Sequence, residues 1–227
     1  MKGIILLCFL IGNFIFGQNI SIQYAVEKNG YHQDFILDVL PSYSFFYSTE
    51  YCTPKEEEIF NYIKVENTKQ GIIFHDEIEN IKVYYKSNIK LKWELLPETQ
   101  IYEGVKLNKA RTKYKNVEYV AWYDSNAAVN EGPFIFKNLP GVIYKVESEG
   151  IKINLFKITN KNVNCVKIPS KEKKISKESY ENYNEELLSS IKGEFDNMVV
   201  DGFEKSILDS VLENAIKKDL FREFIDY

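Results

Sequence analysis

A mainly β fold of the α+β class, a curved antiparallel sheet with a C-terminal amphipathic helical segment packed on it, follows from three features of this 227-residue sequence. Aromatic residues make up 15% of the chain, with 16 Tyr and 15 Phe, and such side chains suit a pleated, half-buried surface. Between residues 19 and 167, short apolar or alternating runs are broken by turn residues roughly every 8 to 12 positions, the antiparallel pattern. Beyond Pro169 the apolar period lengthens to about 3.6, that of a helix. Hydrophobic residues reach 44%, enough for one well-packed core.

The first ribbon pair is residues 20–26 and 35–40, flanking Lys28-Asn29-Gly30. Asn and Gly both tolerate positive φ, so the pair reads as a hairpin. Further strand runs are 71–74, 81–85, 91–96, 100–107, 117–123, 134–136, 141–146 and 151–158. No stretch between them is long enough for a crossover helix, which disfavours parallel βαβ units. Lys171-Glu172-Lys173-Lys174 reads as a charged linker. After it Tyr180, Tyr183, Leu187, Ile191 and Phe195 share one helical face. Asp201 and Glu204 form a capping box for a second amphipathic helix with Phe203, Ile207, Val211 and Leu220 along one side. The open face of the sheet is the simplest cover for these stripes, a dimer interface the alternative. The expected plan is a leader at 1–18, an antiparallel β domain at 19–170 and a helical segment at 171–227 on the same core.

The leader reads MKGIILLCFLIGNFIFGQNIS: one Lys, an apolar run over 4–16, then small and polar residues. That is the layout of a cleavable signal peptide, and the run falls short of the roughly 20 apolar residues of a membrane span. The expected location is the periplasm or the exterior, with no stable membrane span after cleavage following Gly17 or Gln18. A formal charge of −4 gives no reason to expect a nucleic-acid partner. Cys52 and Cys165 remain in the exported chain. A disulfide between them and two separate buried thiols are both open, since spacing alone does not bring two Cβ atoms together.

The stretch GPFIFKNLPGVIYKV, residues 132–146, sets two Gly/Pro pairs around short apolar runs. Pro140 fixes φ for the second position of a tight turn, and Gly141 takes the positive φ of a type II turn at the third. Gly132-Pro133 launches 134–136 as a short strand or a tight helical turn. These residues, together with Trp93-Glu94-Leu95, Glu98-Thr99-x-Ile101, Lys109-Ala110 and Ala121-Trp122-Tyr123 in that order, resemble the GLPGLI family of exported Bacteroidetes proteins. The likeness covers roughly residues 91–146. Asn138 replaces the first Gly of the name motif and Val142 its second Leu, while Leu107 stands where many members carry Cys. Asn adopts left-handed backbone more readily than other non-Gly residues. The resemblance implies an envelope location and transfers no catalytic residue.

Catalytic and metal signatures are sparse. The two His, His32 and His75, lie far apart and in no HxH or HExxH spacing, and His75-Asp76-Glu77 reads as a solvated turn. There is no Gly-x-Ser-x-Gly and no Gly-rich phosphate loop. No cofactor or metal is expected. Trp122 and Tyr123 are candidate binding aromatics, since such rings give large contact area at low entropy cost. The pleat sends them to opposite faces, with Trp122 read as core and Tyr123 as rim. The turn residues Asn138, Leu139, Pro140 and Gly141 complete the candidate binding set. The function expected is non-enzymatic binding of an apolar or peptide-like ligand, or accessory work. The alternatives are docking on an envelope protein through the helical tail or a sheet edge, and an enzyme whose cleft gathers His75 or Asp124 with other ionisable groups.

Overall fold

The computed structural model describes residues 19–28, 30–52, 62–66, 71–161, 163 and 170–200. Twelve strands follow in chain order: β1 Ile20–Lys28, β2 Tyr31–Val39, β3 Tyr43–Ser48, β4 Tyr62–Glu66, β5 Gly71–Ile78, β6 Ile81–Ser87, β7 Glu94–Tyr102, β8 Val105–Tyr114, β9 Val117–Asp124, β10 Val142–Ser148, β11 Ile151–Thr159 and β12 Lys173–Lys174. One helix, α1, spans Lys177–Val200. The mainly β, α+β class expected from the sequence is what the chain adopts. The leader, the second helix with its Asp201 capping box and Cys165 lie outside the described residues.

All twelve strands join one sheet in the order β12-β6-β5-β4-β3-β2-β1-β11-β10-β9-β8-β7. Every pairing among the described residues is antiparallel except β12 with β6. The connection from β6 to β7 decides the shape. These strands are second and last in the order, so a flat sheet would hold them about 48 Å apart at about 4.8 Å per strand. The link between them is residues 88–93, which reaches about 25 Å at most when extended. The sheet therefore curls until its ends approach, giving a sandwich-like body with an inner and an outer face.

The inner face holds the main core, including Ile22, Tyr24, Phe35, Phe46, Phe74, Tyr85, Tyr119, Ala121 and Ile153. A smaller cluster of Ile36, Phe45 and Tyr47 forms on the other face of β2 and β3, where the Tyr43, Phe45 and Tyr47 rings stack in succession. Tyr47 donates to buried Asp38 at 2.8 Å. Burial, then the Asp38 charge, pushes the Tyr47 hydroxyl far above its ordinary range.

Several local expectations are corrected. Residues 100–107 are two strands, because Glu103 and Gly104 both take positive φ, 48° and 81°, and make a two-residue hairpin turn of the primed kind. Residues 134–136 are neither strand nor helix but a buried turn closed by the Phe136 N–H on the Pro133 carbonyl at 2.9 Å. The charged linker carries β12, whose Lys173 and Lys174 register against Val83 and Tyr84. Strands β3 and β4 were not among the runs read from the sequence.

Helix α1 starts where Ser176 Oγ accepts the Ser179 N–H at 3.0 Å, an N-cap. Tyr180 is the side chain that seats it: 1% exposed, its ring 4.9 Å from that of Tyr85, its hydroxyl donating to Asp76 at 2.5 Å. The buried helix positions are Tyr180 and Asn184, one turn apart, while Tyr183 and Leu187 are half-buried. The side chains of Ile191 and Phe195 lie outside the described residues. His75-Asp76-Glu77 is no solvated turn. It lies inside β5, with His75 and Asp76 5% and 4% exposed, and His75 Nδ1 is 2.7 Å from Glu172. Tyr180→Phe should lower unfolding stability by about 1–3 kcal/mol by withdrawing a donor from a buried carboxylate, and Tyr180→Ala by about 3–5 kcal/mol through the added cavity. Urea unfolding followed by circular dichroism measures both, and equal values for the two variants would refute this assignment of energy to the hydroxyl and the ring.

Candidate functional site

Two features compete for a functional reading: the Gly/Pro stretch and the surface around Trp122. The first is an internal plug. Residues 131–137 are all buried. Phe134 enters the curled sheet to lie 4.4 Å from Phe46 and 5.1 Å from Phe35, centroid to centroid. Phe136 lies 5.0 Å from Tyr119. Placing Phe134 there requires a left-handed backbone, φ 47°, which is strained for a bulky residue by about 1–2 kcal/mol. Full burial of the ring contributes about 1.5–3 kcal/mol and offsets it.

Polar groups within the plug are satisfied internally. Lys137 Nζ donates to Glu131 at 2.6 Å, both side chains being 7% exposed. The Lys137 carbonyl accepts the Trp93 indole N–H at 2.8 Å, and Trp93 packs half-buried against the core. Tyr24 donates to the Ile143 carbonyl at 2.9 Å. Burial first, and the Glu131 charge second, raise the Tyr24 hydroxyl well above its ordinary value, so it stays a donor.

The reversal at Pro140 is tighter than a type II turn. The Gly141 N–H donates to the Leu139 carbonyl at 2.9 Å, a three-residue γ-turn centred on Pro140, whose ring sets a φ close to that geometry. Asn138 takes φ 72°, as its residue type allows. Gly141 takes φ 136°, and a Cβ there would sit 1.8 Å from the Asp124 carbonyl oxygen. The 131–141 loop is tied back by Glu131 N–H to the Gly141 carbonyl and by Ile143 N–H to the Glu131 carbonyl. Among the candidate binding residues, Leu139 and Gly141 are thus buried packing groups, and Asn138 and Pro140 are exposed turn groups.

Trp122 and Tyr123 are placed the opposite way from the expectation. Tyr119, Ala121 and Tyr123 point into the core, Tyr123 being 5% exposed. Trp122 shares the outer face with Glu118, Val120 and Asp124 and is half-buried. The signal was available: Glu118 and Asp124 stand at even spacing from Trp122, and charges mark the solvent side of a strand. Register sets Trp122 beside Lys109 on β8 and Lys145 on β10. The Lys109 ammonium lies 5.6 Å from the indole centroid, and also 3.2 Å from Glu98.

Around the indole is an open groove of about 440 Å³, lined by Lys109, Glu118, Val120, Trp122, Glu147 and Ser148. The Ser148 hydroxyl is buried without a hydrogen-bond partner. Next to it, Arg111 forks onto Glu94 with bonds of 2.8 and 3.2 Å, which holds the Glu94 carboxyl below its ordinary value. The groove offers one aromatic face with charges of both signs, suited to an amphipathic ligand. None of Asn138, Leu139, Pro140 or Gly141 lines it, and Tyr123 is on the other face. His75 and Asp124 sit apart from it as well; Asp124 accepts the Asn126 N–H at 2.8 Å as a local turn. Among the described residues no three His, Cys, Asp or Glu side chains form a metal-binding group.

No family model matches the chain, and no curated protein is similar to it in sequence. Two solved structures of PNGF-II, in space groups P21 and C2, are similar in fold. Their TM-scores are 0.62 and 0.59 at 16% identity, over 73% of this chain in each case. The chain spans about a third of PNGF-II, 33% and 32% of the two chains. At that identity the likeness is one of fold alone.

Two outcomes follow for the plug. Gly141→Ala should lose about 2–5 kcal/mol by adding left-handed strain to a collision with backbone. Gly30→Ala, at φ 86° with open space around its Cβ, should lose only the strain, about 1–2 kcal/mol; matched thermal denaturation curves separate them. Lys137→Met should lose about 3–5 kcal/mol by leaving the Glu131 charge buried alone, and adding Glu131→Gln should recover part of it. A single mutant as stable as wild type would show that the pair contributes nothing.

Proposed function

We propose that this chain is an exported cell-envelope protein that works as a non-enzymatic binding or accessory module, holding an amphipathic, peptide-like ligand against Trp122. The observation that carries this reading is the half-buried indole in an open groove between Lys109, Glu118 and Glu147. Aromatic side chains with a polar surround are the usual anchors of recognition. The inner face does not offer the apolar ligand an equivalent seat, because Phe134, Ile135 and Phe136 fill it.

Export is supported by the leader-like first residues, by the resemblance to the GLPGLI family and by Cys52, which is disulfide-bonded. Disulfides persist in oxidising compartments. Among the described residues no helix is long and apolar enough to cross a membrane. A second reading, docking on an envelope partner, is favoured by β7, an edge strand among the described residues, where Leu95 and Ile101 are 58% and 71% exposed. Against it, Pro97 and the register shift between Leu96 and Thr99 blunt that edge.

Native mass spectrometry of the full chain purified from its own envelope tests the binding reading. The expected result is a co-purifying small ligand on wild type that is absent from Trp122→Ala, with both proteins equally folded. In a Trp93→Phe background the remaining Trp122 fluorescence should shift on re-addition of that ligand. Identical spectra with no adduct in either protein would overturn the reading.

A further inference from the structure

The curl that brings the two ends of the sheet together leaves a cavity at the seam. It measures about 600 Å³ and is lined by Lys86, Ser87, Asn88, Ile89, Lys90, Leu91, Lys92, Lys113, Tyr114 and Lys177. Five lysines line it from four elements: the end of β6, the 88–93 connector, the end of β8 and the first residue of α1. In a chain with 29 Lys and Arg against 33 Asp and Glu, such a gathering is against the average, since like charges brought together repel. Among the described residues no carboxylate lines the cavity. Glu181 is 3.5 Å from Lys177 and Glu118 stands opposite Lys113 in register, yet Lys86, Lys92 and Lys113 make no ion pair among the described residues. The α1 N-terminus adds its partial positive charge from the same side.

The geometry points to this seam as a binding site for a small polyanion bearing phosphate or sulfate groups. The charges are all Lys and none is Arg. Lysine acts as a compact, strongly hydrated point charge without the planar fork that matches a carboxylate, so the site selects charge density. Ser87, Asn88 and Tyr114 add hydroxyl and amide groups, and Leu91 and Ile89 close the wall. The volume of about 600 Å³ fits a ligand of sugar-phosphate size. The site is separate from the Trp122 groove, with which it shares no lining residue, so the two readings stand or fall independently.

Isothermal titration of the full chain with sodium tripolyphosphate and with a sulfated disaccharide, between about 50 and 200 mM salt, tests the site. Flotation with phosphatidylcholine vesicles containing phosphatidylglycerol tests a lipid headgroup as the source of the phosphate. Wild type should bind at least one probe, more weakly as salt rises. The variant Lys86→Gln/Lys92→Gln/Lys113→Gln should weaken binding by about tenfold or more. A control with the same charge change at exposed Lys106, Lys152 and Lys157 should stay within about twofold, as should Trp122→Ala. Single Lys92→Glu and Lys113→Glu variants should each weaken binding, which keeps the test valid if the triple variant folds poorly. Vesicle binding alone, lost in the triple variant, assigns the anion to a lipid. No binding of any probe by wild type, equal binding by the triple variant, or an equal loss in the control would overturn the site.

Discussion

The reach of residues 88–93 governs this molecule. β6 and β7 are consecutive in sequence yet ten strand positions apart in the sheet, and a link of six residues cannot bridge a flat sheet of that width. Bending is obligatory. Once the sheet bends, its inner side becomes a closed volume that must be filled to near crystal density, and its ends become neighbours with a seam between them. The core, the plug and the lysine cavity are consequences of that one length.

Filling the volume is the work of the loop between β9 and β10. A strand there would have extended the sheet; a buried turn instead sends Phe134 and Phe136 inward from two sides of Ile135. Burying a loop exposes its backbone and charged groups to a dry interior, where each unsatisfied polar atom costs about 1–3 kcal/mol. The chain answers with local pairing: Lys137 with Glu131, Trp93 with the Lys137 carbonyl, and the Glu131 backbone with Gly141 and Ile143. The ion pair is weak evidence for net stability, because desolvation takes back much of the attraction. Its effect is on specificity, as it gives the loop one arrangement in which both charges are satisfied.

The sheet was legible wherever alternation and turn chemistry agreed. The β1–β2 hairpin around Gly30, the runs of β9 and β11, and the positive φ of Asn138 and Gly141 all follow from residue types at fixed offsets. What escaped was whatever depends on contacts distant in sequence. His75-Asp76-Glu77 is polar enough to resemble a turn, and only Glu172 and Tyr180, roughly a hundred positions on, make it an interior strand. Trp122 and Tyr123 were exchanged because both are large; the parity of Glu118 and Asp124 outweighs size. The lysines of the seam are unremarkable in sequence, since Lys113 and Lys177 join the other three only after the sheet curls.

The same economy separates structure from candidate function. Residues of the GLPGLI-like stretch are occupied with each other and with the ends of β9 and β10, so their chemical character is spent on shape. A Gly141 pressed on the Asp124 carbonyl and a Leu139 at 2% exposure have no surface left for a ligand. The groups that closing the fold does not demand are an indole turned outward among charges and lysines gathered at the seam with no carboxylate among the described lining residues. Neither is needed to close the sheet. Selection for stability alone would place an aliphatic residue at Trp122 and alternate the charges along the seam, and the departure from both is the physical reason to look for ligands at those two places.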